Sequence, residues 1–159
     1  MFEPEIQGIK GLVTSILNAP RRGQRRVVAI VGPPGSGKST IAKALVPLIA
    51  QAGGLAQVVP MDGFHLDNSI LIERNLIDVK GSPGTFDVQG FAKLISRLGN
   101  EPEIIFPKFD RDKDLAIAGA GFVSEDCDLV LVEGNYLLLD APFWRDLSKY
   151  WDFSVFLDV

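Results

Sequence analysis

Ile6, Ile9, Leu12, Val13, Ile16 and Leu17 recur at the spacing of one helical face, which predicts an amphipathic helix over 4–18, broken by the Pro20–Gly23 region. Val27–Val31 is a continuous apolar, β-branched run, the pattern of a strand buried on both faces. Ile41, Leu45, Leu48 and Ile49 then mark one side of a helix ending at Gly53-Gly54, and a second strand, Ala56 to Met61, follows directly. Strand, helix and strand within about 35 residues form a βαβ unit, so the sheet is parallel and the crossover right-handed. A polar, turn-rich stretch from Asp62 to Asp87 has a short helix expected between Leu66 and Ile77. Val88, Phe91, Leu94, Ile95 and Leu98 stripe a further helix that Asp87 can cap. Glu103–Phe106 reads as a short edge strand bounded by Pro107, Leu129–Val132 as a third apolar strand and Phe153–Leu157 as a fourth, with a helix from Pro142 through Tyr150 between the last two. The fold class is α/β: three layers, a parallel sheet with helices on both faces.

Length and composition add limits. With 159 residues the chain suits one domain, and 47% hydrophobic with 23% charged residues is ordinary for a soluble globule. A net charge of −4 and a pI near 5.0 argue against a nucleic-acid partner. The basic cluster RRGQRR, Arg21–Arg26, reads as a solvated loop, or else as an anchor on the phosphate side. The single cysteine, Cys127, excludes an internal disulfide and reads as a small buried residue in a reducing compartment. No basic signal region opens the chain and no apolar run nears the roughly 20 residues of a membrane span, so a cytoplasmic, soluble protein without a membrane partner is expected.

The chemistry concentrates in GPPGSGKST, Gly32 to Thr40, placed after one strand and before one helix. Gly32-x-x-x-x-Gly37-Lys38-Ser39 has the spacing of a phosphate-binding P-loop (Walker A). Glycines let backbone N–H groups converge on phosphate oxygens, and the helix start adds its positive dipole end. Gly32, Pro33, Gly35, Ser36 and Gly37 therefore form the ATP cradle; Lys38 reaches the β- and γ-phosphates, the Ser39 hydroxyl ligates Mg²⁺, and Thr40 adds a contact at the α-phosphate. A guanine-specific switch would need Asn-Lys-x-Asp, which is absent. The third strand ends in a lone Glu133 before Gly134, a carboxylate able to hold Mg²⁺ or its water but with no adjacent acid to activate a hydrolytic water. In MDGFHLD, Met61 to Asp67, Asp62 falls at the carboxyl end of the second strand, where open α/β sheets bind ligands. There it could accept the proton of an attacking hydroxyl, as phosphoryl transfer requires; the alternative is a turn aspartate in an Asp-Gly pair.

The ordered motifs GPPGSGKST, MDGFH, KGSPGTFDV, PKFDR and LVEGNYLLLD together resemble the phosphoribulokinase/uridine kinase family of P-loop kinases. The likeness is strongest to the branch of sugar (fructose) and nucleoside or nucleotide kinases near bacterial pantothenate kinase, and it spans Val27 to Val159. It implies a five-stranded parallel sheet, ATP and Mg²⁺ as cofactors, a small-molecule acceptor with a hydroxyl, and a homodimer as one permitted state. It also implies that Asp62 is the catalytic base and that Glu133-Gly134 supports Mg²⁺. Two departures matter. Gly63-Phe64-His65 stands where uridine kinases have an aromatic-serine arrangement, which argues against a nucleoside acceptor. The family's arginine-bearing lid and last strand lie beyond the position of Val159, so 1–159 is expected to be a single kinase domain cut short of its lid.

On the acceptor side, His65 lies three residues past Asp62 and is either a hydrogen-bond donor to substrate or a structural residue. Lys80, in a glycine- and proline-rich loop, offers a charge near the acceptor or its phosphate, or is simply solvated. Arg111 stands in the family's acceptor-lid region, where it could clamp a substrate oxygen or the γ-phosphate, or pair with Asp110, Asp112 or Asp114. Tyr136 could wall the acceptor pocket, whereas Leu137–Leu139, Trp144 and Trp151 read as packing. The reading is an ATP- and Mg²⁺-dependent kinase for a hydroxyl of a small polar metabolite, with a sugar such as fructose as acceptor. A nucleoside or pantothenate-like kinase, a non-catalytic ATP-binding regulator and a plain NTPase are the alternatives.

Overall fold

The computed structural model describes residues 3–158, with side chains from Gly8 onward; Ile6 and Val159 of the sequence reading lie outside the described side chains. In chain order the elements are α1 (Glu3–Asn18), β1 (Arg26–Val31), α2 (Lys38–Gln51), β2 (Ala56–Pro60), α3 (Asn68–Glu73), α4 (Val88–Leu98), β3 (Ile104–Asp110), β4 (Leu115–Val123), β5 (Leu129–Gly134) and β6 (Phe153–Phe156). Strands β2, β5, β1 and β6 lie in that order in one parallel sheet. The order is crossed because α2 carries the chain from β1 over to β2, leaving the slot that β5 later fills.

Strand alternation divides the core into two halves. Val28, Ile30, Leu129 and Leu131 point to one face, where Ile16 of α1 and Leu45 and Ile49 of α2 cover them. Val27, Ala29, Val31, Val130 and Val132 point to the other, against Phe91, Leu94, Ile95 and Leu98 of α4 and the Trp144–Trp151 region. This is the expected three-layer α/β arrangement. Each such aliphatic side chain contributes roughly 1.5–3 kcal/mol on full burial, so both faces hold the central strands β1 and β5 firmly.

Several expectations are corrected. The short edge strand is longer and is paired: β3 runs through Pro107 to Asp110 and forms an antiparallel ribbon with β4, which the apolar pattern did not reveal. Pro107 is tolerated because the register shifts between Phe106 and Lys108, where no ladder N–H is required. Across the described residues the main sheet has four strands, β2, β5, β1 and β6. The segment after Pro142 is a 3-10 turn, Arg145–Tyr150, preceded by Phe143 at φ 68, a backbone that cannot begin a helix at the proline. Strand β6 is a half-exposed sheet edge, with Phe156 61% accessible. Leu138 is exposed, unlike the buried Leu137. The basic cluster is no solvated loop: Arg25 is buried, Arg26 Nε donates to the Ala19 carbonyl at 2.9 Å, and Arg22 pairs with Asp152 at 2.8 Å. It precedes β1, at the opposite end of that strand from the glycine loop.

Asp87 caps α4 by accepting from Gly90 N, and Trp144, Trp151 and Cys127 are buried as read from the sequence. Among the described residues no helix is long and apolar enough to cross a membrane.

Candidate active site

The parallel register sets the site. Glu133 of β5 lies opposite Ile30 of β1 and Pro60 of β2, so the ends of three strands converge. Beyond β1 the chain turns through the glycine loop into α2; beyond β2 it makes a 3-10 turn, Met61–Phe64, that carries Asp62. All three carboxyl ends open on one side, the place where such sheets receive ligands.

Within the loop Gly35 and Gly37 sit at φ 77 and 86, a left-handed backbone in which a side chain is strained. Gly37 begins α2, and no side chain caps that end, whereas Asp67 and Asp87 cap α3 and α4. The first N–H groups of α2 are thus left for an anion. The Ser36 hydroxyl is buried in the loop without a hydrogen-bond partner, and a phosphate oxygen there would accept its proton. Lys38 Nζ lies 3.5 Å from the Pro33 carbonyl, over the loop, and Thr40 is exposed on the first turn of α2. These features fit a nucleoside triphosphate.

The Ser39 hydroxyl donates to Glu133 Oε1 at 3.0 Å. Glu133 is almost wholly buried; loss of solvation pushes its carboxyl above the usual range, with the Asp62 charge adding to the rise, while the Ser39 hydrogen bond, Lys38 and Arg111 oppose it. Among the described residues no three His, Cys, Asp or Glu side chains gather into a self-contained metal site. One hydroxyl, one carboxylate and the phosphates of a nucleotide are instead the donor set that suits Mg²⁺, which prefers few protein ligands.

Asp62 shares a cleft of about 340 Å³ with Ser39, Lys43, Lys108, Phe109, Arg111 and Glu133. Its carboxylate lies 3.9 Å from Arg111, whose side chain is 84% exposed, so this is a loose pair. Gly63 explains how the ribbon comes so close: a Cβ there would meet the Pro107 carbonyl oxygen at 2.1 Å. Only glycine lets β3 lie against the Asp62 turn.

The other sequence candidates stand back from this cleft. His65 Nδ1 donates to the Asp62 carbonyl at 2.7 Å, and its ring packs at a tilt between Phe86 and Phe109, with centroids 4.2 and 4.6 Å away. It braces the backbone of the Asp62 turn. Lys80 binds Asp114 Oδ1 at 2.8 Å and Asn68 Oδ1 at 2.6 Å, which ties the β3–β4 turn to the start of α3 and to the loop that follows α3. Asp114 is therefore engaged by Lys80 and not by Arg111. The Tyr136 hydroxyl donates to the Gly81 carbonyl at 2.6 Å, and its ring packs edge-on against Phe86 and Trp144, so it does not wall the cleft. Conversely, Lys43 and Lys108 line the cleft and were not singled out from the sequence. Lys43 was findable, being one helical turn past Ser39; Lys108 needed the ribbon.

No family model matches the chain. An Escherichia coli protein named "Uncharacterized protein YggC" is 42% identical over 84% of this chain and 56% of its own length. The "Putative uridine kinase C227.14" of Schizosaccharomyces pombe is 29% identical over 98% of this chain and 70% of its own. A crystal structure of a "putative fructose transport system kinase" from Silicibacter sp. TM1040 superposes with a TM-score of 0.92 at 48% identity, covering 95% of this chain and 74% of that one. The chain thus spans a little over half the length of the Escherichia coli relative. With the loop, the Asp62 turn and the Glu133 strand end in the arrangement just described, the chain belongs to the phosphoribulokinase/uridine kinase family of P-loop kinases.

Proposed function

We propose that the protein transfers the γ-phosphoryl group of ATP to a hydroxyl of a small polar metabolite. The observation that carries this is the placement of Asp62 on the same cleft as Ser39 and Glu133. The loop from Gly32 to Thr40 and Lys38 hold the triphosphate, and Ser39 and Glu133 hold Mg²⁺, which when bound neutralises charge on the phosphates. Asp62 is the base. The acceptor oxygen forms a bond to the γ-phosphorus as the bond to the β,γ-bridging oxygen breaks; Asp62 takes the hydroxyl proton, and ADP leaves with the bonding electrons. A sugar is the favoured acceptor because the 48% identical relative carries a fructose name, whereas the relative named for uridine is 29% identical.

The test is ADP release from MgATP across hexoses, pentoses, polyols, nucleosides and pantothenate, with wild type and Asp62→Asn. The expected loss in the variant is about 10²–10⁴-fold in acceptor-stimulated turnover, with ATP affinity retained. Near-native turnover of Asp62→Asn overturns the assignment of the base.

A further inference from the structure

The Asp62 carboxylate takes its direction from the backbone behind it. Among the described residues no donor hydrogen-bonds it, and its one ion pair is the loose 3.9 Å approach of the exposed Arg111. A base that collects a proton during transfer works only from a fixed direction, so the peptide that carries it has to be held. One residue closes that turn twice. The Asp62 carbonyl accepts from the His65 backbone N–H at 3.2 Å and from His65 Nδ1 at 2.7 Å, which occupies both of its lone pairs. A carbonyl has no proton to give, so Nδ1 carries one. The 3-10 turn Met61–Phe64 is only four residues long, and hydrogen bonds of that geometry are poor, so the second closure matters.

His65 is itself anchored on two sides. Its backbone bridges Phe86 in antiparallel fashion, flanked by Leu66 N–H to the Thr85 carbonyl at 2.9 Å and Asp87 N–H to the Phe64 carbonyl at 2.8 Å. Its ring lies between Phe86 and Phe109, and Lys80 Nζ stands 5.2 Å from the centre of the Phe109 ring. Phe109, on β3, lines the cleft with Asp62, whereas His65 does not. A single imidazole thus touches both the peptide that carries the base and a side chain of the wall beside it.

We propose that His65 is the positioning residue of the transfer. Its Nδ1–H fixes the Asp62 peptide, and with it the direction of the carboxylate; its ring sets where Phe109 stands. This rests on the phosphotransferase reading above, with Asp62 as base, and adds the residue that aims it. The two duties separate by substitution. His65→Phe keeps a ring between Phe86 and Phe109 and loses the donor. His65→Asn keeps an amide N–H at the place of Nδ1 and loses the ring.

The experiment measures ADP formation from MgATP with hexoses, pentoses, polyols, nucleosides and pantothenate for wild type and both variants, beside their melting temperatures. His65→Phe is expected to lower kcat on the order of 10–100-fold, the cost of a base displaced by about 1 Å, with the KM for ATP unchanged. His65→Asn recovers most of kcat, raises the KM for the acceptor and melts lower than His65→Phe, so activity and stability run in opposite orders. His65 is the chain's single histidine, so its ring nitrogens are read without ambiguity by long-range ¹H–¹⁵N NMR, and the neutral ring is expected as the Nδ1–H tautomer. Wild-type kcat in His65→Phe overturns the proposal and leaves the kinase reading standing. Activity that falls in step with melting temperature across the two variants makes His65 merely structural and overturns it too. No acceptor-stimulated ADP from wild type overturns the kinase reading and this proposal with it. Should the variants fail to fold, the tautomer of wild type decides, and an Nε2–H ring overturns the proposal.

Discussion

Glu133 is a carboxylate placed where a core residue would be more stable. Its strand neighbours are buried on both sides, and it is 6% accessible itself, with the Ser39 hydroxyl as its hydrogen-bond donor. A buried charge with one neutral donor costs stability, and a site that needs Mg²⁺ retains it nonetheless. Glu133→Gln keeps an oxygen for Ser39 to bond and removes the charge. The variant is expected to melt higher, by roughly 2–4 °C for each kcal/mol gained, while Mg²⁺-dependent ATP affinity falls at least about tenfold. Thermal denaturation and Mg²⁺ titration of nucleotide binding check both halves. A lower melting temperature with unchanged Mg²⁺ dependence would mean that Glu133 is a structural residue.

At the scale of elements, the β3–β4 ribbon brings the cleft's cations to Asp62, and a small clasp fixes its tip. Asp114, at φ 54 in the turn between the strands, accepts from Lys80 and Asn68, which hold its carboxyl below the usual aspartate range, Lys80 foremost. A depressed carboxyl contributes its attachment above the unfolded value near 3.9, and loses it as pH falls through the lower folded value. The ribbon tip therefore stays attached at pH 5, and is released only under more acid conditions. Lys80→Met is expected to raise the Asp114 titration toward its ordinary range with little change in melting temperature, as read by carboxyl NMR; an unmoved titration would remove Lys80 from the clasp. The ribbon is also where sequence reading stopped short. Strands β1 and β5 were legible because two-sided burial writes continuous apolar runs, β2 because it follows α2 directly in a βαβ unit, and α4 because Asp87 and its stripe agree. Strand β4, LAIAGAGFV, stands largely in solvent with Phe122 54% accessible, so neither face imposes alternation. Without β4 the position of Lys108 is invisible. Asp62, Lys38, Ser39 and Glu133 were legible because strand ends locate them. Tyr136 and Lys80 were not, since what they bond, Gly81 and Asp114, is set by loops.

At the scale of the whole molecule, one side chain far from the chemistry joins the ribbon to the sheet. Arg25 is 2% accessible, and its guanidinium donates to the carbonyls of Cys127 and Leu98 at 2.9 Å, Glu101 at 2.7 Å, Ser124 at 3.1 Å, and Pro102. These five acceptors belong to the end of α4, the approach to β3, the exit of β4 and the approach to β5. No carboxylate is among them; the charge is balanced by carbonyl dipoles, that of Leu98 at the negative end of α4. Five donors in a fixed planar fork match this set, and an ammonium with three does not. Arg25→Met strands several buried carbonyls, so a loss of ~3 kcal/mol or more is expected, near 6–12 °C in melting temperature for a chain of this size. Arg25→Lys should recover only a minor part, because its charge remains buried with fewer partners. Thermal and urea denaturation of the two variants decide the point: a Lys variant as stable as wild type would show that charge alone, and not the fork, holds the ribbon's base. Arg25 would then be replaceable by any cation, and the ribbon that carries Lys108 and Arg111 would be secured by its contact at Gly63 instead.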